Sequence, residues 1–97
     1  MAEATYAVLY EEDGWLEPEH RPGALFPAVR LERWSGPCSC VRYIVTAGYK
    51  LPSDTGPYWV DDPATTLLDL TENAAAIRYA IRAYDALKAD LYAKPKA

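Results

Sequence analysis

The spacing of apolar positions changes along this chain, from strand-like alternation over its first part to a helical repeat over its last third. Thr5 to Glu12 (TYAVLYEE) sets Tyr6, Val8 and Tyr10 against Ala7 and Leu9, all good β-formers except the alanine. This predicts a strand buried at least partly on both sides. Asp13-Gly14 marks a turn, and the acidic, proline-bearing stretch from Glu17 to Gly23 predicts an exposed loop. Pro27 lacks a ladder donor, so the next strand is expected from Ala28 onward or on a sheet edge. From there Val29 and Leu31 alternate with Arg30 and Glu32 as far as Trp34. Ser35-Gly36-Pro37 is a turn signal, and Cys38 to Lys50 returns with Val41, Tyr43 and Val45 opposing Arg42, Ile44 and Thr46. A hairpin through Gly36 follows from that pattern. Pro52 to Pro57 is a second loop, and Tyr58-Trp59-Val60 reads as a short further strand.

The repeat then becomes helical. Asp62-Pro63 has the form of an N-cap followed by proline at the first helical position, which predicts a short helical turn through Leu67 and Leu68. The main helix is expected near residues 72–93. Its apolar stripe is Ile77, Ala80, Ile81, Tyr84, Leu87 and Leu91. Asp85 precedes Lys88 and Asp90 precedes Lys94 in the favourable acid-before-base order, and Pro95 ends the helix. Lys88 falls on the buried stripe, its stem expected to lie on the sheet with the amine reaching out.

These elements predict one compact α+β domain over residues 1–97. Strands near 5–12, 28–34, 39–49 and 58–60 form a three- or four-stranded antiparallel sheet, with the long C-terminal helix on one face. The expected core sets Ile77, Ile81, Tyr84, Leu87 and Leu91 against Val8, Val29, Leu31, Val41, Tyr43 and Val45. With 97 residues, 51% hydrophobic and 25% charged, the chain can bury a core without metal or disulfide staples.

Composition alters the picture at two points. Eight tyrosines and three tryptophans stand against one phenylalanine, and Tyr and Trp carry a polar edge suited to recognition surfaces. The plain alternative is rings packed inside with their hydroxyls wet at the rim. The net charge of −4 is laid out in blocks. Residues 1–19 are acidic, 20–50 basic with only Glu32 opposing, 51–75 acidic and 76–97 basic. An acidic chain is poorly suited to coating DNA, whereas separated patches suit a charged protein partner. The hydrophobic runs are too short to span a bilayer, and Met1-Ala2-Glu3-Ala4 lacks the basic start of a signal peptide. The expected location is the cytoplasm, without membrane contact.

Catalytic chemistry finds little footing. His20 is the single histidine, set in a loop between Glu19 and Arg21, where solvation is the simpler role than base catalysis. Nucleophile elbows, phosphate-binding glycine loops and HExxH patterns do not occur. Cys38 and Cys40 would share one face of a strand, yet zinc needs four ligands and only His20 and carboxylates remain to complete a set. No cofactor, metal site or catalytic residue is expected, and the chain reads as a non-enzyme.

The outer side of the helix offers more. Arg78, Tyr79 and Arg82 project away from the Ile77–Ile81 stripe among small alanines, and Arg and Tyr are common in interface hot spots. With Trp34 and Trp59 at the ends of the sheet, these residues predict a small inhibitor- or adaptor-like binding protein, of the kind phages and mobile elements carry. It would act by occupying a surface of a larger protein, or by self-association. The rival reading is a single-stranded nucleic-acid-binding domain built on Arg30, Arg33, Arg42 and Lys50 of the basic aromatic hairpin 30–50.

Overall fold

A computed structural model describes residues 5–14, 25–36, 41–60 and 62–93. Its elements are β1 (Thr5–Asp13), β2 (Phe26–Ser35), β3 (Val41–Leu51), β4 (Tyr58–Trp59), β5 (Ala64–Leu68) and α1 (Asn73–Ala93). All pairings are antiparallel: β1 lies on β2, β2 on β3, and both β4 and β5 share the far side of β3. The helix packs on one face of this sheet, chiefly over β2. The α+β architecture is the expected one, carrying one strand more than the sequence predicts.

That extra strand is a correction. Residues 64–68 are not a helical turn behind an Asp62-Pro63 cap; they pair with β3 from Tyr43↔Leu68 to Ala47↔Ala64. The two adjacent threonines favour a pleated surface, and β3 offers an open ladder for the segment. The sheet outcompetes a four- or five-residue helix, which is too short to hold itself together.

Pro27 is compatible with the central strand of the β1–β2–β3 ladder, contrary to expectation. The Gly14 amide donates to the Pro27 carbonyl at 3.0 Å, so the backbone polar edge of Pro27 faces the β1 side. The β1 ladder has already ended there, at Asp13↔Ala28. The missing N–H therefore removes no ladder bond.

β1 carries a bulge. Val8 pairs with Glu32 and Tyr10 with Leu31, leaving Leu9 without a partner. The inserted residue reverses the facing of the strand beyond it. Tyr6 and Val8 therefore point away from the helix, while Leu9 and Tyr10 pack against the core. The expected shared face of Tyr6, Val8 and Tyr10 does not exist.

The core consists of Val29, Leu31, Tyr43 and Val45 under Ala76, Ala80 and Tyr84. Ile77, Ala83, Leu68 and Leu70 close its margin. Ile81 is 38% exposed and Val8 and Val41 are also exposed, while Leu87 and Leu91 are half-buried beyond the cluster, so five expected core residues lie outside it. The helix meets the sheet through its alanines, which lets the backbones approach closely and turns the contact stripe away from Ile81. Two tyrosines of β3 fasten α1 at both ends. The Tyr43 hydroxyl donates to Asn73 Oδ1 at 2.6 Å, and the Tyr49 hydroxyl lies 2.9 Å from Asp90 Oδ2 and 3.2 Å from the Leu87 carbonyl. Among the described residues no helix is long and apolar enough to cross a membrane.

Candidate functional site

With α1 covering one side of the sheet, the register defines what the other side presents. One row runs Tyr6, Trp34, Arg42; the next runs Val8, Glu32, Ile44, Leu67; the third runs Glu11, Arg30, Thr46, Thr65. Tyr6 stacks on Trp34 with ring centroids 4.9 Å apart and planes inclined by 21°. Both rings remain open to solvent, at 56% for Tyr6 and 36% for Trp34. Val8 and Leu67 are exposed in the adjoining row, and Ile44 between them is half-buried. Neighbouring exposed apolar side chains of this kind mark interaction sites more often than single ones do.

Charges of both signs border the patch. Arg30 lies 3.6 Å from Glu11 and 3.6 Å from Glu32, so two carboxylates hold one guanidinium across two strands. Arg42 is exposed at the end of the Tyr6–Trp34 row. At the other end of this face, the Lys50 amine sits 4.7 Å above the Trp59 ring. Trp59 and Pro63 crowd Gly48 there: a Cβ on that glycine would stand 3.2 Å from Pro63 Cβ and 3.5 Å from Trp59 Cε3.

The residues singled out from sequence are divided between two layers. Arg78, Tyr79 and Arg82 are exposed on the outer side of α1, whereas Trp34 and Trp59 belong to the opposite side of the sheet. One flat partner cannot touch both groups. The cationic hairpin is divided as well. Arg30, Arg42 and Lys50 share the helix-free face, while Arg33 pairs with Tyr43 on the helix side and donates from Nη1 to Ser35 Oγ at 3.3 Å. Tyr43 and Tyr49 likewise serve the helix rather than the open face.

Tyr6, Val8, Ile44 and Leu67 belong to this face although nothing in their sequence pattern marks them as site residues. Tyr6 could have been found by pairing the first strand against the second, which sets it opposite Trp34. Leu67 could not, because its segment reads as helix. Burial raises the Tyr10 phenol above its ordinary pKa, with Glu12 and Asp85 adding to the effect. Burial also raises Tyr49, helped by its hydrogen bond to Asp90. Both tyrosines belong to the helix–sheet junction. Among the described residues no three His, Cys, Asp or Glu side chains gather to hold a metal ion. His20, Cys38 and Cys40 lie outside the described residues. Comparison with protein-family models, curated proteins and solved structures gave no match.

Proposed function

We propose that this chain is a non-catalytic binding module that occupies a surface of a larger protein through the helix-free face of its sheet. The observation that carries the reading is the stacked, exposed Tyr6–Trp34 pair. Two large rings held flat against each other lose little further freedom on binding, and Val8 and Leu67 extend their apolar area. Glu11, Arg30, Glu32 and Arg42 supply both signs of charge on that face. Such a mixed rim suits a protein surface, which also carries both signs. A nucleic-acid backbone would meet the repulsion of Glu11 and Glu32, and would compete with them for Arg30. The helix surface of Arg78, Tyr79 and Arg82 is the second-ranked docking face, since among the described residues it exposes one ring rather than a stacked pair.

The test begins with a photoreactive residue at position 6 in the native host, to trap whatever lies on this face. The trapped protein is then purified and titrated with wild type, Trp34→Ser and Arg82→Glu, each checked for folding by circular dichroism. Loss of the hot-spot ring should weaken binding by at least about tenfold, with Arg82→Glu near wild type. Equal affinity of Trp34→Ser and wild type would remove the face from consideration. Salt-sensitive binding of single-stranded RNA, lost in Arg42→Ala, would transfer the proposal to nucleic acid.

A further inference from the structure

The two edges of the sheet are protected very differently. β1 is bulged at Leu9 and ends in Glu11, Glu12 and Asp13, features that discourage an additional strand from pairing. β5 has neither device. It is uncharged, contains no proline, and runs against β3 over five consecutive pairs without a break. Among the described residues only β3 pairs with it. The helix lies chiefly over β2, with β3 and β1 beside it, and of β5 only Leu68 packs against the core; Ala64 and Thr66 are exposed on the covered side, Thr65 and Leu67 on the helix-free face. Leu67 reaches 64%. Thr66 is exposed even though it points to the side of the sheet that the helix covers.

We propose that the outer edge of β5 is a strand-addition site for an extended segment of another protein, with an apolar or β-branched centre and basic residues at both ends. Main-chain groups along an open edge supply the pairing, and side chains at alternate positions supply the choice. The charge requirement follows from the flanks. Asp62 stands exposed just before β5 and Asp69 just after it, with Glu72 beyond. The same flanks disfavour a second copy of this chain. Two β5 strands paired antiparallel about Thr66 would set residue 62 opposite residue 70, bringing Asp62 of each copy beside Asp69 of the other. This edge shares Leu67 with the helix-free face but not the Tyr6–Trp34 pair, which lies on β1 and β2, and it stands whether or not that pair docks a partner.

The experiment selects displayed random decapeptides on the immobilised full chain and maps the bound state by amide hydrogen exchange. Enriched peptides should alternate β-branched and apolar residues between Lys or Arg ends, and should slow exchange within residues 64–68. Thr66→Lys places a charge on the edge and should weaken these peptides about tenfold. In the Asp62→Lys/Asp69→Lys variant, selection should switch to peptides with acidic ends. Those two substitutions lie outside the strand, so they keep the test open if Thr66→Lys does not fold. Trp34→Ser should bind the peptides as wild type does, which separates this edge from the Tyr6–Trp34 pair. The proposal fails if no peptide is enriched, if protection appears elsewhere, or if the charge reversal leaves the selected ends unchanged. It also fails if light scattering finds a dimer whose residues 64–68 are already protected without peptide.

Discussion

The Tyr43 hydroxyl donates to Asn73 Oδ1 across 2.6 Å, joining the middle of the sheet to the first residue of the helix. The two ends of this bond are unlike. Tyr43 is 2% exposed, whereas Asn73 is at the surface. Tyr43→Phe removes the buried hydroxyl and frees an amide that water can reach, so it should cost about 1 kcal/mol. Asn73→Ala leaves a buried phenol without that partner and should cost more, about 1–3 kcal/mol, despite the better helix propensity of alanine. Urea unfolding of both single variants and the double variant measures the coupling. Equal single losses would mean that the phenol finds water.

Tyr49 fastens the other end of the helix and should make the fold sensitive to alkali. Burial first, then the hydrogen bond to Asp90, raise its pKa in the folded chain above that of an unfolded tyrosine, near 10. Tyr10 is shifted in the same direction, by burial and by Glu12 and Asp85. The folded state therefore holds these protons more tightly. The associated stability is fully present below about pH 10 and is lost as pH rises through the folded values. Denaturant midpoints from pH 8 to 12, followed with tyrosinate absorbance, should fall above about pH 10. Tyr49→Phe should lower stability at pH 8 and flatten that decline. An unchanged slope in Tyr49→Phe would assign the alkaline sensitivity elsewhere.

What the sequence made legible follows from how local each determinant is. The antiparallel β2–β3 pairing is legible because its alternation and the Ser35-Gly36-Pro37 turn signal lie within one stretch of chain; residues 37–40 of the connection itself lie outside the described residues. The long helix was readable for the same reason. β5 was hidden because its state depends on a vacant edge of β3, whereas Asp62-Pro63 next to it carries a local helix-start pattern. The bulge at Leu9 was also hidden, and with it the turning of Val8 into the open face. Half of the proposed docking pair, Trp34, is legible from the sequence as a ring at a strand end. Its partner Tyr6 was visible as a residue, but the stack requires the register of two strands separated by a long connection.

The helix contact shows a further limit of reading by residue size. Ala76 and Ala80 are completely buried while Ile81 is exposed, so the smallest side chains of α1 make its closest approach to the sheet. Ala80→Leu should therefore overpack the junction with Val29, Leu31 and Val45, at about 1–3 kcal/mol. Ala86→Leu, on an exposed position of the same helix, should stay within about 0.5 kcal/mol of wild type. Urea midpoints compare the two directly. A tolerated Ala80→Leu would show that the helix can lift from the sheet at little cost.

Gly48 offers the last prediction, because there two effects of opposite sign compete. Adding a side chain to a strand glycine ordinarily stabilises, since the unfolded chain has fewer states to lose. Here a Cβ would stand 3.2 Å from Pro63 Cβ and 3.3 Å from Pro63 Cα, so backbone as well as ring must yield. Pro63 has little freedom to do so. β4 before it is held on β3 at Lys50↔Trp59, and β5 behind it at Ala47↔Ala64. The Val60 amide adds a bond to the Tyr49 carbonyl at 2.9 Å. Crowding should win once the side chain is branched: Gly48→Val should lose about 1–3 kcal/mol. Because the strain falls on the connection between the two short strands, amide exchange should rise in residues 58–68 before it rises in β2. Gly48→Val with wild-type stability and unchanged exchange would mean that the Trp59–Pro63 corner moves aside freely.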